Sequence, residues 1–82
     1  QNGWTFFMLL DEIKERLRSA IKACGLSQKE LAQLVGVNPA TISKYVHKEK
    51  FPSADTLAKL CRALNVKSDA ILGLEPFPDQ ET

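Results

Sequence analysis

Two short helices joined by a very tight turn are predicted between Ser27 and Val46, and this pair constrains the fold more than any other stretch. Ser27 and Glu30 have the spacing of a capping box, in which each side chain accepts from the backbone N–H of the other. Gly36 ends the first helix, since glycine adopts the left-handed conformation common just past a helix end. Asn38 starts the second helix as its N-cap. Because so few residues link the helices, they must cross sharply and touch.

Apolar residues fall on one face of each helix at helical spacing, which predicts that these faces form the core. They are Leu31, Ala32, Leu34 and Val35 in the first helix, and Ile42, Tyr45 and Val46 in the second. The opposite face of the second helix carries Ala40, Ser43, Lys44 and His47. None of these four is acidic. A short polar and cationic ridge on a supported helix has the shape and chemistry to enter a DNA major groove.

Residues 26–46 resemble the helix-turn-helix of the Cro/phage-repressor family, whose small DNA-binding domains are also called lambda-repressor-like. The matching positions are Gln28, Leu31, Ala32, Val35, Gly36, Val37, Ile42 and Ser43. The resemblance covers roughly residues 9–74, including the run 52–66 and the ending 72–74. It implies an all-α, compact five-helix domain in which helices 2 and 3 form the helix-turn-helix.

The resemblance also implies which residues contact DNA. The base-reading positions are Pro39, Ala40, Ser43 and Lys44. Among these, Ser43 and Lys44 have side chains that can hydrogen-bond to base edges. Phosphate contacts are expected from Gln28, with the first N–H groups of its helix, and from Asn38 and Thr41. Because they follow the groove helix directly, His47, Lys48 and Lys50 are also expected to contact phosphate. The alternative for this loop is an ordinary solvated basic segment.

Two positions depart from the family pattern. The family usually has glutamate where this chain has Val46, and glycine where it has Lys48. Without that glycine, helix 3 could end differently, as much as one turn later. The placement of the loop residues depends on where this helix ends.

The remaining helices are predicted to support this pair. Helix 1 is expected from Leu10 to Cys24, with Asp11 and Glu12 at its start. Its inward stripe is Ile13, Leu17, Ala20, Ile21 and Cys24, and its solvated face is Arg16, Arg18 and Lys22. Helix 4 should bury Leu57, Leu60, Cys61 and Leu64. A short last helix, ended by Gly73, should close the core with Ile71 and Leu72.

The net charge of +1 conceals an asymmetry along the chain. All eleven Lys and Arg residues lie in 1–68, whereas four of the ten acidic residues lie in 69–82. The predicted domain is therefore basic, and the chain ends in an acidic segment. The expected organisation is an N-terminal extension (1–8), the DNA-binding domain (9–74) and an acidic tail or linker (75–82). Residues 1–7 are either a remnant before a natural start at Met8 or an apolar segment that folds onto the domain or a neighbour.

The sequence lacks the residues that several classes of function require. Cys24 and Cys61 are expected to be buried thiols in a reducing cytosol. His47 has no partners at metal-ligand spacing, so we expect no metal site. The sequence contains no nucleophile–base pair, glycine-rich phosphate loop or carboxylate pair, so we expect no enzyme, cofactor or small-molecule ligand. We also expect no membrane span and a cytoplasmic location.

Three functions remain. The first is a sequence-specific regulator that binds a double-stranded DNA operator, as a phage- or prophage-type repressor and a homodimer on a palindrome. The apolar candidates for its dimer contact are Leu74, Phe77 and the segment Trp4–Phe7. The second is the antitoxin of a toxin–antitoxin pair, which binds DNA and a toxin protein. The third is a protein-interaction module that keeps the fold without binding DNA. The basic ridge and loop favour the first over the third.

Overall fold

A computed structural model describes the backbone of residues 3–73 and the side chains of residues 9–73. Within this part of the chain it has five α-helices and no strand, which confirms the predicted all-α, lambda-repressor-like fold. The helices are α1 Gly3–Ala23, α2 Gln28–Val35, α3 Pro39–Val46, α4 Ala54–Leu64 and α5 Ser68–Leu72. Helix α3 packs against α1 and α2, α4 packs against α2, and α5 packs against α1 and α4. The candidate groove helix is thus supported from two sides.

The core brings together apolar side chains from all five helices. Its most deeply buried members are Leu17, Leu31, Ile42, Leu60 and Ile71. The predicted inward faces of α3 and α4 are confirmed, since Ile42, Tyr45, Val46, Leu57, Leu60, Cys61 and Leu64 are all buried. The prediction for Leu34 is wrong, because 65% of its surface is exposed. The buried stripe of α2 follows Leu31, Ala32 and Val35, which turns Leu34 toward a cleft between α2 and α4.

The predicted caps form at both ends of α2. Ser27 Oγ accepts from the N–H of Glu30 at 3.0 Å, and Glu30 Oε1 accepts from the N–H of Ser27 at 2.9 Å. Gly36 has a φ of 82°, and its N–H donates to the carbonyl of Ala32 at 2.8 Å. The side chain of Ala32 is buried in the core. Local hydrogen bonds therefore define where α2 begins and where the tight turn to α3 follows it.

Helix α1 differs from its prediction at both ends. It begins at Gly3 rather than Leu10, so it crosses the predicted boundary between residues 8 and 9. Nothing in residues 3–10 breaks a helix, since this stretch has no proline and its one glycine stands first. Asp11 and Glu12 consequently lie inside α1 and do not form its first turn. The helix stops at Ala23, one residue before the predicted end.

The two cysteines have different environments. Cys61 is buried in the core, and this burial raises the pKa of its thiol, which keeps the group protonated and unreactive. Cys24 is half-buried rather than buried as predicted, because it lies just beyond the end of α1. Its thiol donates to the carbonyl of Ile21 at 3.0 Å and accepts from the N–H of Leu26 at 3.4 Å. Cys24 therefore helps to close the turn after α1.

The first turn of α4 contains a carboxylate with a lowered pKa. Ser53 Oγ donates to Asp55 Oδ1 at 2.7 Å, and this hydrogen bond is the main reason that the Asp55 pKa lies below its ordinary value of 3.8. Backbone N–H groups at Thr56 and Asp55 lower it further. Because the folded-state pKa is lowered, its contribution to stability is present above the ordinary pKa and is lost as the pH falls through the lowered one.

We predict that Ser53→Ala will raise the Asp55 pKa toward its ordinary value, because the hydroxyl donor is removed. A carbon-13 NMR titration of the side-chain carboxyls will measure the change. Ser68→Ala, at the start of α5, is the matched control and will leave the Asp55 titration unaltered. An unchanged Asp55 titration in Ser53→Ala would mean that the backbone donors alone lower this pKa.

No helix in the described part of the chain is long and apolar enough to cross a membrane. The domain boundaries remain predictions. The proposed dimer residues Leu74 and Phe77, the acidic tail 75–82 and the side chains of Trp4–Phe7 lie outside the described residues.

Candidate nucleic-acid interface

The four predicted base-reading residues lie together on α3. Pro39, Ala40 and Lys44 are exposed, and Ser43 is half-buried. The inward side of the same helix is held by Ile42, which is fully buried. This arrangement presents a narrow surface, apolar at the start of α3 and polar to cationic toward its end.

The start of α3 leaves few backbone donors for a ligand. Asn38 Oδ1 accepts from the N–H of Ala40 at 2.9 Å, and the carbonyl of Asn38 accepts from the N–H of Thr41 at 2.9 Å. Pro39 has no N–H at all. Recognition by α3 must therefore rely on its side chains. Since Asn38 Oδ1 is engaged, the amide NH₂ of Asn38 is the part of its side chain that remains to donate to a phosphate.

The start of α2, in contrast to that of α3, leaves backbone N–H donors available for a ligand. The capping box uses the N–H groups of Ser27 and Glu30, and the N–H of Leu31 donates to the carbonyl of Ser27 at 2.9 Å. No described residue accepts from the N–H groups of Gln28 and Lys29. Two backbone donors and the exposed Gln28 side chain therefore face outward together at the positive end of α2, where an anion is favoured.

A hydrogen bond to the carbonyl of Ser43 determines the tautomer of His47. His47 Nδ1 lies 2.8 Å from that carbonyl, which can only accept, so Nδ1 must carry a hydrogen. Nε2 of the neutral ring then carries no hydrogen, so it cannot donate to a phosphate oxygen. His47 can donate to a phosphate from Nε2 only when the imidazole is protonated. Ser43 Oγ, 3.3 Å from the same Nδ1, keeps its own hydrogen free to donate.

Residues from three segments line a cavity between the end of α1, the start of α2 and the end of α3. Its volume is about 420 Å³. The lining residues are Ile21, Lys22, Leu26, Ser27, Gln28, Val46 and His47. The fold thus brings the predicted phosphate residues Gln28 and His47 to one cavity, although they belong to different helices. Lys22, which is exposed as predicted for the solvated face of α1, also lines this cavity; periodicity along α1 carries no information about what lies across from that helix.

The structure of the loop after α3 shows where that helix ends. Helix α3 stops at Val46, and His47 is its C-cap. Lys48 then adopts the left-handed conformation with a φ of 63°, at the position where the family usually has glycine. The extension by one turn that the missing glycine suggested does not occur, because lysine accepts the glycine-like backbone.

The two lysines of this loop have different surroundings. Lys48 Nζ lies 3.3 Å from Asp11 Oδ1 and 3.6 Å from Glu15 Oε1, both on α1. Lys50 is exposed, and no carboxylate of residues 9–73 lies within ion-pair distance of its ammonium. The same holds for Lys44 on α3. Lys44 and Lys50 thus have no acidic partner among residues 9–73, whereas the charge of Lys48 is already matched by α1.

Val46 explains the other departure from the family pattern. Its side chain is 7% exposed and belongs to the core cluster. Together with Ile21 it also lines the cavity between α1, α2 and α3. A glutamate at this depth would need a buried cationic partner. An apolar residue removes that requirement. The change therefore alters how α3 is held and not which groups it exposes.

The fold and the exposed ridge define the class of protein: a small all-α domain with a helix-turn-helix. A family model described as helix-turn-helix matches residues 17–71. The chain belongs to this Cro/C1-type helix-turn-helix family. Among the described residues, no group of three His, Cys, Asp or Glu side chains could hold a metal ion.

Curated relatives show the same family. The uncharacterised HTH-type transcriptional regulator YobD of Bacillus subtilis is 37% identical over 65 residues, which are 79% of this chain and 58% of YobD. The HTH-type transcriptional regulator ImmR of B. subtilis is 36% identical over 59 residues, 72% of this chain and 46% of ImmR. The cryptic phage CTXphi transcriptional repressor RstR of Vibrio cholerae is 32% identical over 62 residues, 76% of this chain and 55% of RstR. The chain spans about half the length of these relatives. No solved structure matches it.

Proposed function

We propose that the chain is the DNA-binding part of a phage-type transcriptional repressor, which places α3 in the major groove of a double-stranded operator. One observation carries this proposal: α3 presents the exposed Lys44 and the half-buried Ser43 on a helix whose other side is anchored in the core. Lys44 can contact guanine O6 and N7, and Ser43 can contact donors or acceptors. Pro39 and Ala40 would meet thymine methyl groups. The name of the relative RstR, a phage repressor, is consistent with this activity.

The phosphate contacts would flank this helix on both sides. At the start of α2, Gln28 and two N–H groups would hold one phosphate. Near α3, other phosphates would be held by the amide of Asn38, the side chain of Thr41, the ring of His47 and the ammonium of Lys50. Lys48 differs from these residues because its ammonium already pairs with α1. Since Pro39 and Ala40 lack hydrogen-bonding side chains, phosphate contacts would supply a large share of the affinity.

We further propose that the protein binds as a homodimer to a palindromic operator. Two-fold symmetry would then place the two α3 helices about 34–36 Å apart, one turn of DNA. Two alternatives keep the same domain. An antitoxin would bind DNA and also a toxin protein, and co-purification of a small basic toxin would support it. A protein-interaction module without DNA binding would not explain why Lys44 and Lys50 are exposed beside α3 with no acidic partner among residues 9–73.

Selection of binding sites from random double-stranded DNA tests the proposal directly. A repressor of this kind will enrich a short motif, and a dimer will enrich two inverted copies with centres one helical turn apart. Enrichment of a single copy would contradict the dimer while leaving the groove-binding role intact. The absence of any enriched motif would contradict sequence-specific binding and favour the interaction module.

We predict that Lys50→Ala will weaken binding to all DNA sequences alike and lower the salt slope of the affinity by about one unit. The reason is that a phosphate contact releases a counterion but carries no sequence information. Fluorescence anisotropy at several salt concentrations will measure both quantities. Lys67→Ala is the control, because this exposed lysine precedes α5 and lies outside the proposed interface. A salt slope equal to that of the unaltered protein would remove Lys50 from the phosphate contacts.

A further inference from the structure

Lys48 occupies a backbone conformation that a lysine rarely adopts. Its φ of 63° lies in the left-handed region, where every residue with a Cβ is strained relative to glycine. Lys48 is 31% exposed in its side chain, and its N–H donates to the carbonyl of Tyr45 at 3.1 Å. Glycine would fit this turn without strain, so any role particular to lysine here must lie in its side chain.

The side chain of Lys48 leaves the loop toward α1 and ends between two carboxylates. Its ammonium lies 3.3 Å from Asp11 and 3.6 Å from Glu15. Glu15 also accepts from Arg18 at 3.1 Å and from Ser19 Oγ at 3.3 Å. These groups form a network of opposite charges and not an isolated pair, and a network orders each side chain at a lower cost than a single surface pair. The network links the end of α3 to α1.

We propose that Lys48 is a positioning residue, whose ammonium ties the loop after α3 to Asp11 and Glu15 and so fixes the C-terminal end of α3 against α1. This inference rests on the proposed DNA binding and gives Lys48 a role within the domain in place of the phosphate contact expected from its position in the sequence. The left-handed turn aims the side chain at α1. Two nearby residues of the same loop, His47 and Lys50, then keep a constant position relative to the groove helix.

A triple-variant cycle on the full chain separates this role from a phosphate contact. The variants are Lys48→Met, the pair Asp11→Asn/Glu15→Gln, and all three changes together. The matched charge control is Glu12→Gln/Asp69→Asn, which also removes two acidic charges but leaves the tether intact. Thermal unfolding, DNA affinity relative to this control and the salt slope of that affinity are measured for each protein.

If Lys48 is a tether, Lys48→Met and the acid pair will each lower the midpoint of unfolding by about 1–6 °C. Each will weaken DNA binding by about 1.5- to 5-fold, because both changes release the same end of α3. The triple variant will be no weaker than the acid pair, which already lacks the contacts of Glu15 with Arg18 and Ser19, since the Lys48 interaction cannot be lost twice. The salt slope of Lys48→Met will equal that of the unaltered protein.

A phosphate contact gives a different pattern and would overturn the proposal. Lys48→Met would lower the salt slope by about one unit, and neutralising the acids would tighten DNA binding by freeing the ammonium. Independent effects that add in the triple variant, or no effect on unfolding in either parent, would overturn it equally. If the unaltered protein bound no DNA, the proposed function would fail, yet the unfolding cycle would still decide whether Lys48 and the α1 acids are coupled.

Discussion

Replacement of Ile42 by alanine will lower the free energy of unfolding by about 2–5 kcal/mol. Ile42 has none of its surface exposed, and it lies at the centre of α3 where that helix meets the core. Removing most of its side chain forfeits the burial of apolar surface and leaves a cavity that close-packed neighbours fill only in part. A domain of this size has about 5–15 kcal/mol of stability in total, so one such change removes a large share of it.

Chemical denaturation followed by circular dichroism will measure this change. The control comes from the opposite side of the same helix: Lys44→Ala replaces an exposed residue and will alter stability by no more than about 0.5 kcal/mol. A loss smaller than about 1 kcal/mol for Ile42→Ala would show that α3 is not anchored through this side chain.

Lys44→Ala will instead affect the choice of DNA sequence. We expect a loss of about 1–3 kcal/mol in affinity for the preferred site and a relaxed preference at one base pair, because Lys44 is the longest donor on the exposed face of α3. The effect is confined to sites that carry the preferred base. Other sequences will be bound nearly as before, apart from the general effect of removing one charge.

Competition binding against a panel of single-base operator variants will measure this preference. Lys59→Ala removes the same charge from α4 and is the matched control, since Lys59 lies beside the α2–α4 cleft and not on α3. If both variants keep the full preference profile, Lys44 does not read a base and the specificity must come from Ser43 or from the shape of the DNA.

The parts of the fold that could be predicted are those determined by neighbours in the sequence. The caps at Ser27, Gly36 and Asn38 depend on contacts between residues at most four positions apart. The buried faces of α3 and α4 follow from periodicity, which reports the side of a helix that is apolar. Even so, periodicity placed Leu34 inside, because the side of α2 that α4 covers depends on the packing of the whole domain.

In the candidate site, too, features set by residues close in sequence were predictable and features set by tertiary packing were not. The exposed ridge of α3 was predictable from its spacing on one helix. The ion pairs of Lys48 were not, because Asp11 and Glu15 lie near the other end of the domain in sequence and meet this loop only after α1 packs against α3. The missing family glycine at this position suggested that helix 3 could end one turn later, whereas the structure shows that lysine adopts the left-handed backbone and the helix ends at Val46. The start of α1 also differs from the prediction, which took Asp11 and Glu12 as its first turn, whereas the helix begins at Gly3.

The backbone hydrogen bonds formed at the start of α3 affect how much conformational entropy the protein loses when it binds a ligand. From Asn38 to Thr41 the backbone is ordered before any ligand arrives. Folding a disordered segment on contact would cost about 1–2 kcal/mol per residue, whereas immobilising one long side chain costs about 0.5–1.5 kcal/mol. At the start of α3, the conformational entropy lost on binding is thus confined to side chains. The measured entropy of binding will then be dominated by the ions and water molecules released from the two surfaces.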